Sequence, residues 1–369
     1  MRYDAVFRNP GNAEQVIRQM ADRLTGRDPV RLMEICGTHT MAIARTGLRS
    51  LLPERVKLLS GPGCPVCVTP AGVMDEILEL SSRPGIRIAS YGDLLRVPGS
   101  TPGDCLLRRK AMGALTEAVY SPMDAIALAE LNPEEEVVFL GVGFETTAPG
   151  TAACIREAAR KGLRNFSVLC LLKQTEPALR ALIEAPDFHV DGFLCPGHVA
   201  AITGAEAFRF LLEEYGLPAV ISGFEAGDLL YSVSELIRMV SEGRPELKNE
   251  YIRLVKPRGN ELAKKGAEMV FEPCCSLWRG IGELPEGGLA IRREYEAWDA
   301  AHKFGLSLRA GRELPGCCCG EVIRGGKNPW ECPLFGKRCT PSDPVGPCMV
   351  SGEGACAAAW RYRLWENGD

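Results

Sequence analysis

The sequence predicts an α/β protein made of two halves with largely parallel sheets, followed by a small cysteine-rich module. The first observation is that short apolar runs, typical of buried strands, alternate with segments whose apolar residues recur at helical spacing. The second is that polar motifs directly follow these runs. The third is a change near residue 300, beyond which Gly, Pro and Cys dominate and periodicity fades. Strands that alternate with helices form βαβ units, and such units build parallel sheets.

Composition limits the class of protein. The 369 residues are 46% hydrophobic and 24% charged, which is typical of a globular chain of two or three domains. A net charge of −4 gives no electrostatic reason to expect nucleic acid as a partner. We find no apolar run of membrane length and no apolar leader, so we expect no membrane association and a cytoplasmic location. In that reducing compartment the 16 cysteines indicate metal binding or redox chemistry rather than structural disulfides.

In the first half, two predicted strands end in cysteine-containing loops. The run VRLMEI leads into Cys36 and the motif CGTHT, and VKLLS leads into GPGCPVC with Cys64 and Cys67. Because the carboxyl ends of neighbouring parallel strands meet at one sheet edge, we expect these three thiols to lie together. A CxxC dithiol exchanges readily with disulfides, and three thiols beside His39 also suit a soft metal. The alternatives are half of a zinc site for the CxxC pair and a core cysteine for Cys36.

The second half, from about residue 120, repeats the pattern. The run VVFLGVGF leads into Glu145, Thr146 and Thr147, and VDGFLCPGHV carries His198. Glu145 is a candidate acid, base or ligand, and His198 is a candidate proton donor or orienting group. Helix capping explains the threonines equally well, and a structural histidine explains His198 equally well.

The cysteine-rich tail, beyond about residue 300, contains seven cysteines close together in sequence. They are Cys317, Cys318, Cys319, Cys332, Cys339, Cys348 and Cys356. A zinc ribbon would show two tight CxxC pairs, and the tail has neither. Loops of this length between ligands suit a [4Fe–4S] cluster held by four thiolates, with structural zinc or simple buried cysteines as alternatives. Without Cys318, which looks spare, six cysteines exceed the four that a cluster needs, so the other two are candidates for a redox disulfide. Which four bind stays open.

Together, the motifs resemble one family closely, the hydrogenase maturation factor HypD. The matching stretches are EICGTHT (34–40), LSGPGCPVCVTP (59–70), GFETTAPGT (143–151), LCPGHVAAITG (194–204), SGFEAGD (222–228), WRGIG (278–282) and the cysteine-rich tail. They span nearly the whole chain. One departure is Cys318, where the resemblance leads us to expect a non-cysteine, often basic, residue.

The resemblance implies a fold of two Rossmann-like α/β domains with mainly parallel sheets that flank a cleft, adjoined by an iron–sulfur domain. We expect an N-terminal α/β domain over residues 1–117, a second α/β domain over 118–300, and a cysteine-rich [4Fe–4S] domain over 301–369.

The resemblance also implies a function, namely a scaffold on which the Fe(CN)2CO unit of [NiFe]-hydrogenase is built. It implies that iron is held between this protein and the chaperone HypC, and that cyanide arrives from HypE. Cys36 is implied as the iron ligand, with Cys64 and Cys67 in iron binding or thiol redox chemistry. The cluster and a neighbouring cysteine pair would supply electrons. Whether the scaffold is itself an enzyme stays open.

The remaining motif residues receive supporting roles. We expect His39, Glu145 and His198 to move protons or to hold the diatomic ligands by hydrogen bonds. We expect the hydroxyl groups of the same loops to line the bound unit, and these belong to Thr38, Thr40, Thr146 and Thr147. The alternative function is a stand-alone iron–sulfur thiol–disulfide oxidoreductase that resembles ferredoxin:thioredoxin reductase.

Overall fold

The computed structural model describes residues 10–367 and has the predicted α/β class, with mainly parallel sheets and a cysteine-rich carboxyl-terminal region. The strands are β1 (Val30–Glu34), β2 (Val56–Ser60), β3 (Ile86–Ser90), β4 (Leu115–Ala118), β5 (Glu136–Gly143), β6 (Phe166–Leu172), β7 (Gly192–Pro196), β8 (Ala219–Ser222), β9 (Leu247–Asn249), β10 (Phe271–Trp278) and β11 (Gly282–Ile291). Across the part of the chain described, no helix combines the length and the apolar character that crossing a membrane requires.

Most connections between the strands are helical, as parallel pairing requires. The α-helices are α1 (Pro10–Leu24), α2 (Gly37–Thr46), α3 (Leu48–Leu51), α4 (Ala71–Ser81), α5 (Leu106–Ala111), α6 (Pro122–Leu131), α7 (Ala148–Lys161), α8 (Thr175–Ile183), α9 (Gly197–Thr203), α10 (Arg209–Glu213), α11 (Ala226–Glu242), α12 (Glu261–Glu268), α13 (Ala300–Phe304), α14 (Cys319–Ile323), α15 (Pro347–Val350) and α16 (Ala355–Arg361). Short 3-10 helices lie at Gly92–Arg96, Ala205–Phe208, Arg293–Trp298, Pro329–Glu331 and Leu364–Asn367.

Two parallel sheets form the body of the molecule. The first has the strand order β2-β1-β7-β8-β9, and the second has the order β4-β3-β5-β6. Strands β10 and β11 form a separate antiparallel hairpin. Helix α11 covers one face of the first sheet with Leu229, Val233, Leu236 and Ile237, whose spacing places them on one side of the helix.

Sheet membership crosses the predicted boundary between residues 117 and 118. Strand β1 pairs with β2 on one side and with β7 on the other, so that Leu32 lies opposite Gly192. The chain therefore starts the first sheet, leaves to build the second, and returns to complete the first. Apolar periodicity identifies a strand but carries no information about a distant parallel partner. The division into contiguous domains stays a prediction, whereas the sheets themselves are interleaved.

The cysteine-rich tail packs onto the body. One buried apolar cluster contains Met33 of the first sheet, Leu140 of the second, and Cys348 and Met349 of the tail. Gly37 marks the closeness of this packing, because a Cβ atom there would lie 2.5 Å from Cβ of Glu353. Short helices and turns make up residues 305–367, so this region gains its order from contact with the body and from its cysteines.

Candidate functional site

A cavity of about 220 Å³ lies at the carboxyl ends of strands from both sheets. Its walls follow β1, β2, β5, β6 and β7, with one contribution from the β10 end and one from the tail. The residues are Ile35, Cys36, Thr38, Pro62, Gly63, Pro65, Phe144, Thr146, Thr147, Thr175, Ala178, Leu179, Pro196, His198, Val199, Trp278 and Glu353. Ligands of parallel α/β sheets bind at this edge. The structure therefore brings Cys36, Thr38, Thr146, Thr147 and His198 to one cavity.

Cys36 lies between β1 and α2, immediately before the first turn of the helix. Its thiol faces the backbone N–H groups of His39 and Thr38, which lower the pKa of the thiol. Burial raises the pKa of this thiol to about 12, against the lowering effect of the two amides. The thiol therefore keeps its proton at neutral pH.

The second cysteine loop packs directly against the first. Cys64 and Cys67 form a disulfide and are both buried. Gly37 N–H donates to the Gly63 carbonyl at 3.0 Å, and a Cβ atom on Gly63 would lie 2.3 Å from Cα of Cys36. Only glycine permits this approach of two backbones. The two cysteine loops thus pack together at one sheet edge, and Cys64 and Cys67 are oxidised to a disulfide.

The two histidines differ in exposure. The His39 ring is fully buried, its Nε2 lies 3.1 Å from the Gly223 carbonyl, and burial lowers its pKa to about 4. It is therefore neutral at pH 7 and does not line the cavity. His198 is exposed at the cavity, where partial burial lowers its pKa. Phe224 stacks between them, 4.6 Å from the His39 ring and 3.9 Å from the His198 ring.

Two predicted site residues point elsewhere. The Glu145 carboxylate accepts hydrogen bonds from Thr175, at 2.6 Å from its N–H and 2.8 Å from its hydroxyl, so it holds the start of α8. Burial raises the pKa of Glu145. Thr40 Oγ1 donates to Glu34 Oε1 at 2.5 Å, behind Cys36 rather than in the cavity. Their predicted roles in chemistry stay predictions.

Two carboxylates at this site escaped the sequence analysis. Glu353 reaches the cavity from the tail and accepts a hydrogen bond from Thr38 Oγ1 at 2.6 Å. Glu34 ends β1 beneath Cys36, whose N–H lies 3.3 Å from Glu34 Oε2, and burial raises the pKa of this carboxyl to about 8. A charged residue at the end of an otherwise apolar strand was a readable signal for Glu34. No periodicity or spacing distinguished Glu353.

The seven tail cysteines surround one enclosed pocket. The pocket walls are Cys317, Cys318, Cys319, Cys332, Cys339, Cys348 and Cys356, with Val322, Leu334, Phe335, Gly346 and Met349. Cys319 Sγ lies 3.1 Å from Cys348 Sγ. Cys317 also contacts Cys319, and Cys356 contacts Cys348. The donor set of this pocket is therefore entirely thiol within an apolar wall.

This donor set fits an iron–sulfur cluster better than a single ion. Within residues 10–367, no three His, Cys, Asp or Glu side chains are grouped so as to hold one metal ion. A [4Fe–4S] cluster instead needs four thiols spread around it, one for each iron. A buried cation also lies near: the charge of Arg279 acts on Cys317 and Cys319, and its Nη2 has no hydrogen-bond partner among the described groups. An anionic cluster would satisfy such a donor.

The thiol pocket and the cavity loops meet through a third, smaller pocket. Its walls include Cys64 and Cys67 of the disulfide, Cys348 and Val322 of the tail, and Glu353. Cys348 therefore lines both the tail pocket and the space beside the disulfide. The two thiol regions are neighbours, although a long stretch of chain separates them.

Comparison with known proteins indicates a single family. The family model HypD, described as "Hydrogenase formation hypA family", matches residues 11–363. Hydrogenase maturation factor HypD2 of Bradyrhizobium diazoefficiens is 46% identical over 369 residues, which cover 98% of this chain and 97% of that protein. Hydrogenase maturation factor HypD of Rhodobacter capsulatus is 45% identical over 372 residues, with 98% of each chain covered. Hydrogenase maturation factor HypD of Escherichia coli (strain K12) is 41% identical over 375 residues, with 100% of each covered.

Proposed function

The chain belongs to the HypD family of hydrogenase maturation factors, and from that premise we propose that it is the scaffold on which the Fe(CN)2CO unit of [NiFe]-hydrogenase is assembled. The observation that carries the proposal is the cavity at the carboxyl ends of the strands, where Cys36 and His198 lie beside the Cys64–Cys67 disulfide. The iron unit is the cargo of this site.

Cys36 is the proposed iron ligand. Its thiol stands at the start of α2, where two backbone amides favour the thiolate once the proton has left. Thiolates are good partners for soft, low-spin Fe(II) that carries cyanide and CO. One thiolate leaves further positions on the iron for those ligands and for a cysteine of the HypC chaperone. His198 lies at the cavity, where a ring N–H can donate a hydrogen bond to a cyanide nitrogen. Glu353 accepts the Thr38 hydroxyl hydrogen and so holds that side chain at the cavity wall.

The Cys64–Cys67 disulfide is the proposed redox partner of this site. As a disulfide it offers no thiolate to iron. Uptake of two electrons and two protons breaks the S–S bond and yields two thiols. These thiols can bind the metal as thiolates once they lose their protons. Its position against Cys36 places this reaction beside the proposed iron ligand.

The tail would hold a [4Fe–4S] cluster, which supplies electrons one at a time when bound. The contact between Cys319 and Cys348 favours that pair as the second dithiol. The four ligands are then the remaining predicted cysteines, Cys317, Cys332, Cys339 and Cys356. Cys348 also faces the space beside the Cys64–Cys67 disulfide, so the two thiol pairs are placed for exchange.

The burial of the disulfide argues against the alternative function. A stand-alone oxidoreductase must present its dithiol to a client protein, but Cys64 is 5% exposed and Cys67 is 1% exposed. The open part of the cleft is instead the cavity at Cys36. A partner that binds there, such as HypC with its cysteine or HypE with its cyanide, meets the iron site rather than the disulfide.

Infrared and Mössbauer spectroscopy of the anaerobically purified complex with HypC tests the proposal. We expect CN and CO stretching bands in the complex of the native chain and their loss in the complex of Cys36→Ala. Cys275→Ala is the matched control, because Cys275 lies exposed on the β10 strand away from the cavity. Bands that persist in Cys36→Ala would refute the ligand assignment. A native complex without bands would refute the scaffold itself.

A further inference from the structure

Arg279 connects the segment after the disulfide with the thiol pocket of the tail. Its backbone N–H donates to the Val68 carbonyl at 2.8 Å, and its Nε donates to the Thr69 carbonyl at 3.0 Å. Both acceptors follow Cys67 directly in the chain. The side chain is only 4% exposed, and its Nη1 pairs with Glu313, whose own side chain is 48% exposed. Arg279 is thus fixed from the disulfide side by two carbonyls and one carboxylate.

The loop that carries Arg279 is also seated on the tail. A Cβ atom on Gly280 would lie 2.6 Å from Cα of Gly320, which is the second residue of α14. Arg324 Nη1 donates to the Gly280 carbonyl at 2.7 Å. Cys319 begins this same short helix. The guanidinium is therefore held against the segment that supplies two of the pocket thiols.

One N–H group of the buried Arg279 guanidinium forms no hydrogen bond with the described residues. Nη2 of Arg279 has no hydrogen-bond partner among the described groups, although buried donors are normally satisfied. The neighbouring Gly280 packs against Gly320, so the buried positive charge stands next to the helix that Cys319 begins. A purely structural arginine would need only the two carbonyls and Glu313. The unused donor and the charge both indicate an anion on the tail side.

We propose that Arg279 tunes the reduction potential of the tail cluster, because a buried positive charge with an unused donor stands beside the segment that supplies the thiols of the pocket. The inference rests on the cluster of the proposed function. Net charge and hydrogen bonds to sulfur set the potential of such clusters. A nearby cation favours the more negative, reduced cluster, so Arg279 raises the potential. Its bonds to Val68 and Thr69 also connect this charge to the disulfide loop that would receive the electrons.

The test is a redox titration of the anaerobically purified full chain, followed by electron paramagnetic resonance, with iron and sulfide measured in every sample. In Arg279→Gln we expect the ratio of reduced to oxidised cluster to fall about tenfold at the native midpoint, a shift of about 59 mV to lower potential for one electron. Arg324→Gln removes an exposed charge at the end of α14, which contacts the Arg279 loop through the Gly280 carbonyl, and is the control, with an unchanged midpoint expected.

A second variant covers the case in which Arg279→Gln does not retain the cluster. Glu313→Gln leaves the Arg279 charge less neutralised, so we expect its midpoint to move to higher potential. An unchanged midpoint in Arg279→Gln refutes the inference, and so does an unchanged midpoint in Glu313→Gln if the first variant loses its iron. A native chain without iron and sulfide would instead refute the cluster of the proposed function, and these outcomes are separate measurements.

Discussion

The two thiol regions of this molecule are built in different ways. In the cleft, a single free thiol and one disulfide stand on loops that a parallel sheet positions, and the cavity beside them is open to solvent at His198. In the tail, seven thiols enclose a pocket that no regular sheet supports. A rigid, open edge suits a group that must enter and leave, whereas an enclosed ring of thiols suits a group that stays. Under the proposed function, this difference would separate the site of a cargo from the site of a resident cofactor.

The two regions nevertheless share residues. Glu353 belongs to the tail but lines the cavity and accepts a hydrogen bond from Thr38, and Cys348 lines both the tail pocket and the space beside the Cys64–Cys67 disulfide. The comparison can therefore be broken in two ways. One result against it would be that the groups bound at the two sites are lost together when a single ligand is replaced. The other would be that the two regions contribute independently to the free energy of unfolding.

Loss of a tail ligand is the largest effect that we expect. Cys339→Ser removes one of the four proposed cluster thiols, so the purified chain should lose most of its iron and acid-labile sulfide, because clusters of this type need four thiolates. Cys36→Ser should keep both, since Cys36 would bind only the cargo. Metal analysis and visible absorption measure the difference. Equal loss in both variants would contradict the assignment of resident and cargo.

Overpacking the cleft loops should have the next largest effect. Gly63→Ala places a methyl group 2.3 Å from Cα of Cys36, and backbone rather than a flexible side chain must move. We expect the free energy of unfolding to fall by about 2–4 kcal/mol, measured by urea denaturation. Gly150→Ala is the control, because a Cβ atom at Gly150 meets nothing within 4 Å. A Gly63→Ala chain as stable as the control would show that the sheet edge is not rigid.

Acid should weaken the cleft through His39. The folded ring has a pKa of about 4, against 6.5 for an unperturbed histidine. Between these values the unfolded chain binds a proton that the folded chain does not, so stability decreases as the pH falls through this window. Charges of His198 and Asp228 act on the ring in opposite directions and leave burial as the dominant cause.

Replacement of the ring isolates this contribution. Between pH 6.5 and pH 4, we expect the free energy of unfolding of the native chain to fall by about 2 kcal/mol more than that of His39→Gln. Denaturation at several pH values measures the difference. His302→Gln replaces an exposed histidine and is the control. An identical pH profile in His39→Gln and the native chain would refute the assignment. The tail offers no histidine to its pocket, so an acid-sensitive step of this kind belongs to the cleft.

The sequence predicted the part of the site that local rules determine. Cys36, Thr146 and His198 each follow an apolar strand and line one cavity, as the rule that ligands bind at carboxyl ends of parallel strands predicts. The loop of Cys64 packs against the loop of Cys36. The pairing of β1 with β7 was not predictable, because a strand pattern does not name its partner.

The sequence also could not predict long-range contacts made by irregular segments. Glu353 lies in a turn, 315 positions from its partner Thr38, and nothing in its spacing indicated a site. Arg279 was part of a matching motif, but its unused donor is a property of three-dimensional packing. Glu145 shows the opposite case, since a promising position after a strand turned out to hold the start of a helix.

The smallest expected effect decides whether tail and cleft are energetically linked. The hydrogen bond from Thr38 Oγ1 to Glu353 joins them directly, so a double-mutant cycle with Thr38→Val and Glu353→Gln should give a coupling free energy of about 1 kcal/mol. Urea denaturation of the four chains measures it. Thr46→Val replaces Thr38→Val in the control cycle, because the Thr46 hydroxyl bonds the Ala42 carbonyl of its own helix. A coupling near zero in both cycles would mean that Glu353 only rests against the cleft, whereas coupling confined to the Thr38 cycle would make the tail an energetic part of the cargo site.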